Sequence, residues 1–151
     1  NNIRLVSTNA VDWTTKSGWY LNLTVNNALL GERMVDPLSI SGSVLFASTR
    51  TPSTDVCSPG VSGWEYGLDP TTGGRTTFTV FNLRRNGTIS TADNYNDNVV
   101  SGISMAAGGV AISSTGVQKT STPSDGDSII VNTGTGYVGR QNWRVIPYPA
   151  Q

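Results

Sequence analysis

Apolar residues along this chain recur in short runs cut by Gly, Pro, Asn and Asp, and no segment keeps an apolar period of 3.6 over three turns. That punctuation predicts strands over residues 3–6, 18–25, 33–35, 38–48, 63–68, 76–83, 99–106, 109–113, 128–132 and 137–146. The run 76–83 carries apolar side chains on both faces, Phe78 and Val80 on one and Phe81 and Leu83 on the other, and reads as a central strand. Within 38–48, strict alternation gives way to a continuous apolar stretch at Gly42, which predicts a hairpin through Ser41, Gly42 and Ser43. The longest small-residue tract ends in Gly108-Gly109, which breaks helices. Residues 121–127 are rich in turn formers and read as an exposed loop. The expected fold is all-β: one domain over 1–151, an antiparallel β-sandwich or partial propeller-like sheets with long polar loops and minimal helix.

Composition narrows the function classes. Lys and Arg number 10, Asp and Glu number 10, and histidine is absent, so no net field recruits nucleic acid or an anionic membrane. No apolar run reaches the roughly 18 residues of a membrane span. A start at Asn1 rather than methionine fits a processed piece of a longer precursor. The single cysteine, Cys57, has no partner for an internal disulfide, so it is buried, free, or bonded to another chain.

The acid–base inventory is too sparse for an enzyme to be the first reading: there is no imidazole, and Cys57 has no such base to activate it. A two-carboxylate glycosidase site drawn from Glu32, Asp36, Asp55, Glu65 and Asp69 is the residual alternative, a secreted carbohydrate-active enzyme. The span 82–93 has the spacing of a calcium loop, with Asn82, Asn86, Thr88 and Asp93 at ligand positions and Gly87 at the sharp turn. Arg84 occupies another ligand position, where its cation repels calcium. Either the guanidinium has replaced the metal and pairs with Asp93, or the loop is a polar turn. No cofactor is expected, with calcium in this degenerate loop as the alternative.

Trp19, Trp64 and Trp143 sit in apolar strand patterns and are expected to fill sheet packing. Tyr95, inside a polar loop, is the candidate surface contact. Gly18-Trp19-Tyr20-Leu21-Asn22-Leu23, Gly31-Glu32-Arg33, Pro52 through Cys57, and Gly63-Trp64 through Leu68-Asp69-Pro70-Thr71-Thr72-Gly73-Gly74 together resemble the C-terminal part of the type IV pilus tip-associated adhesin and biogenesis proteins, the neisserial PilC and PilY kind. The span 82–93, Val100-Ser101-Gly102-Ile103 and the closing Gly139-Arg140-Gln141-Asn142-Trp143-Arg144 are similar to that family's C-terminal tail.

The resemblance implies a non-enzymatic, extracellular module at the cell surface or pilus, helping pilus assembly and contacting pilus proteins or host and abiotic surfaces. In that family such segments belong to the end of a β-propeller. A propeller needs at least four blades of about 40 residues each, more than this chain holds. Exposed sheet edges must then be covered in another way. The alternative is a cleaved fragment that polymerises into an extracellular fibre by strand donation, with Ile3 and Leu5, or Trp143 and Val145, in the inter-subunit strand.

Overall fold

The computed structural model describes residues 2–53, 61–106, 111–115, 118–122 and 129–135. Among these residues nine strands carry the architecture: β1 Ile3–Arg4, β2 Arg33–Met34, β3 Ser39–Ser41, β4 Val44–Pro52, β5 Val61–Leu68, β6 Gly102–Ala106, β7 Ala111–Thr115, β8 Gln118–Thr122 and β9 Ile129–Asn132. Every pairing is antiparallel. The first six strands form one sheet in the order β1-β6-β5-β4-β2, with β3 also pairing β4, and the last three form a second sheet in the order β7-β8-β9. The only helical turn among the described residues is a 3-10 turn at Thr91–Asp93.

The β4–β5 hairpin is the spine of the larger sheet, with Ala47 opposite Tyr66, Ser48 opposite Glu65 and Thr49 opposite Trp64. Alternation along these strands makes two dissimilar faces. One gathers Leu45, Ala47, Tyr66 and Leu68, with Val6, Trp19, Leu21, Leu23 and Trp64 laid over them. The other gathers Val44, Phe46 and Ile103 with Val80, Phe81 and Val100, and reaches Ile129 and Val131 of the second sheet. The hairpin expected at Gly42 is present: β3 folds back on β4 with Gly42 at φ 59, and a Cβ there would lie 2.2 Å from the carbonyl oxygen of Thr133.

Three expectations are corrected. Residues 76–83 form no strand ladder; Phe81 makes one isolated bridge to Val131. The segment runs beside β9, with Asn82 N–H donating to the Ile130 carbonyl at 3.1 Å, and puts Val80 and Phe81 into one core cluster with Val44, Phe46 and Ile103 of the larger sheet. A Cβ on Gly67 would lie 2.8 Å from a Val80 methyl, while Asn132 N–H donates to the Val80 carbonyl at 2.7 Å. Residues 18–25 keep the predicted alternation, with Trp19, Leu21 and Leu23 half-buried and Tyr20 and Asn22 exposed, but cross over the sheet face instead of joining its edge. Strand β8 runs through Ser121 and Thr122, which composition assigned to a loop. The Trp64 and Trp19 expectation holds: both pack onto the sheet. Trp143 lies outside the described residues.

Candidate functional site

Strand β1 is the last strand on one rim of the six-stranded sheet, and a charged residue sits in the middle of its apolar sequence. Arg4 pairs across from Gly102 and turns its side chain onto the tyrosine face. There its Nη1 meets Glu32 Oε2 at 2.7 Å and also donates to the Tyr66 hydroxyl. The guanidinium lies 3.9 Å from the centre of the Trp64 ring, a stacked cation–π arrangement. Glu32 has its other oxygen occupied too: Tyr66 Oη donates to Oε1 at 3.0 Å and Thr49 Oγ1 at 2.6 Å. The side chains of Arg4 and Glu32 are 15% and 2% exposed. Burial, reinforced by the Glu32 charge, pushes the Tyr66 phenol above its ordinary value, with Arg4 opposing.

This cluster fixes the edge strand, and among the described residues no strand pairs with its outer side. Ser104 N–H donates to the Asn2 carbonyl and Ser101 N–H to the Arg4 carbonyl, so the backbone of Asn2 and Arg4 faces β6. Antiparallel alternation then turns N–H and C=O of Ile3 away from the sheet, and Leu5 follows the same sense. Beside that edge runs a groove of ≈ 640 Å³ walled by Asn2, Ile3, Leu5, Val25, Trp64 and Tyr95. Its wall contains no ionisable group of charge at neutral pH.

Two tight turns build the far walls. Val25 and Ala28 exchange backbone hydrogen bonds around Asn26 and Asn27, at φ 49 and 63; Tyr95 and Asn98 do the same around Asn96 and Asp97, at φ 46 and 61. Positive φ at both central positions is the demand of a type I′ turn, which Asn and Asp tolerate. Each turn thus delivers its first residue, Val25 or Tyr95, to the groove.

The structure brings Ile3, Leu5 and Tyr95 into one place, although the sequence assigned them to separate roles. Ile3 pairs with Ile103 of its own chain on one side. Val145 and Cys57 lie outside the described residues, as does Trp143. Sequence reasoning gave Arg4 and Val25 no role, and named Glu32 only among the scattered carboxylates and Trp64 only as sheet packing. An arginine flanked by Ile3 and Leu5 was the available signal, because a charge on an apolar strand needs a partner.

In the calcium-type loop Asp93 and Asn86 turn their oxygens to backbone donors. Asp93 accepts from Arg84 N–H at 2.9 Å through Oδ1 and from Ser90 N–H at 3.1 Å through Oδ2, while the Ser90 hydroxyl caps the 3-10 turn. Asn86 Oδ1 accepts from Thr88 N–H at 3.0 Å, and Asn82 is buried with no partner for its Oδ1. Among the described residues no group of three or more His, Cys, Asp or Glu is placed to hold a metal. The second buried carboxylate, Glu65, lies on the opposite sheet face. It accepts from Ser48 Oγ at 2.5 Å, its Oε1 has no partner, and burial, with the Asp36 charge adding, pushes its carboxyl up to about 7. Among the described residues no helix is long and apolar enough to cross a membrane.

No protein-family model matches the chain. It is 41% identical over 155 residues to the type IV pilus biogenesis factor PilY1 of Pseudomonas aeruginosa strain PAO1, an alignment covering 95% of this chain and 13% of that protein. With PilY1 of strain UCBPP-PA14 the identity is 40% over 158 residues, covering 96% and 14%. With a PilY1 homolog of Xylella fastidiosa it is 34% over 92 residues, covering 60% and 7%. The crystal structure of the P. aeruginosa PilY1 C-terminal domain superposes with a TM-score of 0.74 at 38% identity, over 87% of this chain and 28% of that one. The chain is homologous to the C-terminal domain of PilY1, as the resemblance implied, and spans 13% to 14% of the length of these Pseudomonas relatives.

Proposed function

We propose that this chain is a module of a type IV pilus biogenesis factor, acting outside the cell at the surface or pilus as a non-enzymatic contact element. The observation that carries the reading is the homology to PilY1 along nearly the whole chain. Residues 1–151 are then a single β domain at the C-terminal end of a larger precursor, and pilus proteins or a host or abiotic surface are the partners. The contact residue is Tyr95, which stands 52% exposed at the first position of a type I′ turn. A phenol held there offers apolar area and a hydrogen bond at small entropic cost.

The chemistry within reach supports a binding role over catalysis. Glu32 and Asp93 have both oxygens bonded to neighbours, and Glu65 is shut inside the core, so none of these three buried carboxylates faces a groove that admits substrate. The test is to remove these residues in frame from the source organism and count surface pili by electron microscopy. The reading predicts a sharp fall in pili, restored by the intact gene; unchanged piliation contradicts it.

A further inference from the structure

The loop between Leu83 and Ser90 presents an amide and a peptide nitrogen to each other. Asn86-Gly87 is the only Asn-Gly pair in the chain, and Asn86, Gly87 and Thr88 are all exposed. Asn86 folds its side chain back along its own backbone: Oδ1 accepts from Thr88 N–H at 3.0 Å, an Asx turn. The ring closed by that bond passes through the Gly87 peptide, so Asn86 Cγ is held on the same side as the Gly87 nitrogen, part-way to an attack geometry. Gly87 sits at φ 80, and a Cβ on it would meet nothing within 4 Å, which leaves the loop open around that nitrogen.

We propose that Asn86 is a modification site, at which the Gly87 peptide nitrogen turns the side-chain amide into a carboxylate. Solvent hydroxide takes the Gly87 N–H proton, and the nitrogen attacks Asn86 Cγ. A C–N bond forms, the Cγ–Nδ2 bond breaks, and ammonia leaves after taking a proton from water. Thr88 N–H, already on Oδ1, stabilises the negative charge that this oxygen gains during the attack. Water then opens the cyclic imide at either carbonyl and leaves an aspartyl or an isoaspartyl residue; nothing is oxidised or reduced. Each conversion puts a negative charge into a loop whose exposed residues include the cations Arg84 and Arg85. The isoaspartyl product also routes the backbone through the former side chain, which undoes the Asx turn. The other turn asparagines are poorer sites. Asn26 and Asn96 are followed by Asn27 and Asp97, whose own side chains crowd the attacking nitrogen.

Ageing the native protein that carries these residues under mildly alkaline conditions, followed by charge-variant separation and peptide mass mapping, tests this. The expected result is an acidic form that accumulates with time, with the amide-to-acid mass change confined to the peptide holding Asn86 and with both product isomers present. Absence of that form overturns the proposal, and so does conversion at Asn26 or Asn96 as fast as at Asn86. Gly87→Ala is expected to slow the conversion about tenfold, equivalent to about 1.4 kcal/mol in the barrier, because a Cβ crowds the nitrogen and strains the positive φ. An unchanged rate overturns the proposal. Should that variant not fold, Asn86→Gln keeps an amide in the exposed loop but must close a larger ring, so the acidic form should vanish; its appearance at the original rate overturns the proposal, because another residue then supplies the charge. Pilus counts are independent of these outcomes, so the proposed function and the modification site fail separately.

Discussion

Glu32 and Glu65 are buried on opposite faces of the same sheet, and their surroundings treat the charge in opposite ways. Glu32 receives an arginine, a phenol and a threonine hydroxyl, which satisfy both oxygens. Glu65 receives one serine hydroxyl and keeps an oxygen with no donor. The first face carries long polar-tipped residues, Arg4, Thr49, Trp64 and Tyr66, because it must fasten a strand of only two residues to the sheet. The second face is a hydrophobic core joining two sheets, and Glu65 intrudes on it between Ser48 and Ile103. A buried carboxylate is thus a clamp where donors converge and a liability where they do not.

Removing the arginine breaks this comparison most directly. Arg4→Ala leaves the Glu32 charge buried without its cation and is expected to cost about 3–5 kcal/mol in urea unfolding, more than the loss of packing alone. A cost below about 1 kcal/mol shows that the pair fastens nothing. The Glu65 side responds to pH instead. Its folded-state pKa, about 7, lies above the ordinary carboxyl value of 4.5, so the folded chain holds the proton more tightly than the unfolded one. Stability from this group is therefore full below pH 4.5, falls as pH rises to 7, and stays low above that. Glu65→Gln removes the titration; at pH 8 it should be the more stable protein by an amount on the order of 2–3 kcal/mol, with little difference at pH 4.5. A wild-type minus variant difference that does not change with pH sinks the assignment.

A smaller effect is expected where the tyrosine face is sealed. Gly73, at φ 66, lies under Trp19, and a Cβ there would come within 2.2 Å of the indole ring, whose Nε1 donates to the Pro70 carbonyl at 3.0 Å. Gly73→Ala should cost about 1–3 kcal/mol and shift Trp19 fluorescence; an unperturbed emission spectrum argues that the lid tolerates movement. Smallest in stability is Tyr95→Ala, expected within about 0.5 kcal/mol of wild type, yet with reduced surface attachment of piliated cells. Equal attachment removes Tyr95 from the contact surface.

The all-β class and the Gly42 hairpin were legible because period 2 and turn glycines are local signals. Residues 76–83 were misread for a physical reason: apolar groups on both sides mean burial on both sides, and a segment making one isolated bridge to β9 while its side chains enter the core has that pattern as much as a central strand does. The site was legible only in parts. Ile3, Leu5 and Tyr95 could be singled out one by one, but Arg4, Glu32 and Tyr66 are far apart in sequence and meet only through strand order. The dipeptides Asn26-Asn27 and Asn96-Asp97 were the overlooked local signal, since side-by-side residues that tolerate positive φ mark I′ turns.

The claim beneath the site is that the Arg4–Glu32 pair holds β1 against the sheet. A double-mutant cycle with Arg4→Met and Glu32→Gln, read by urea unfolding at neutral pH, tests it. The account predicts that each single change is costly and that the double variant recovers a coupling energy of about 2 kcal/mol or more. Additive losses, within about 0.5 kcal/mol, would show two independent residues and leave the edge strand without its fastening.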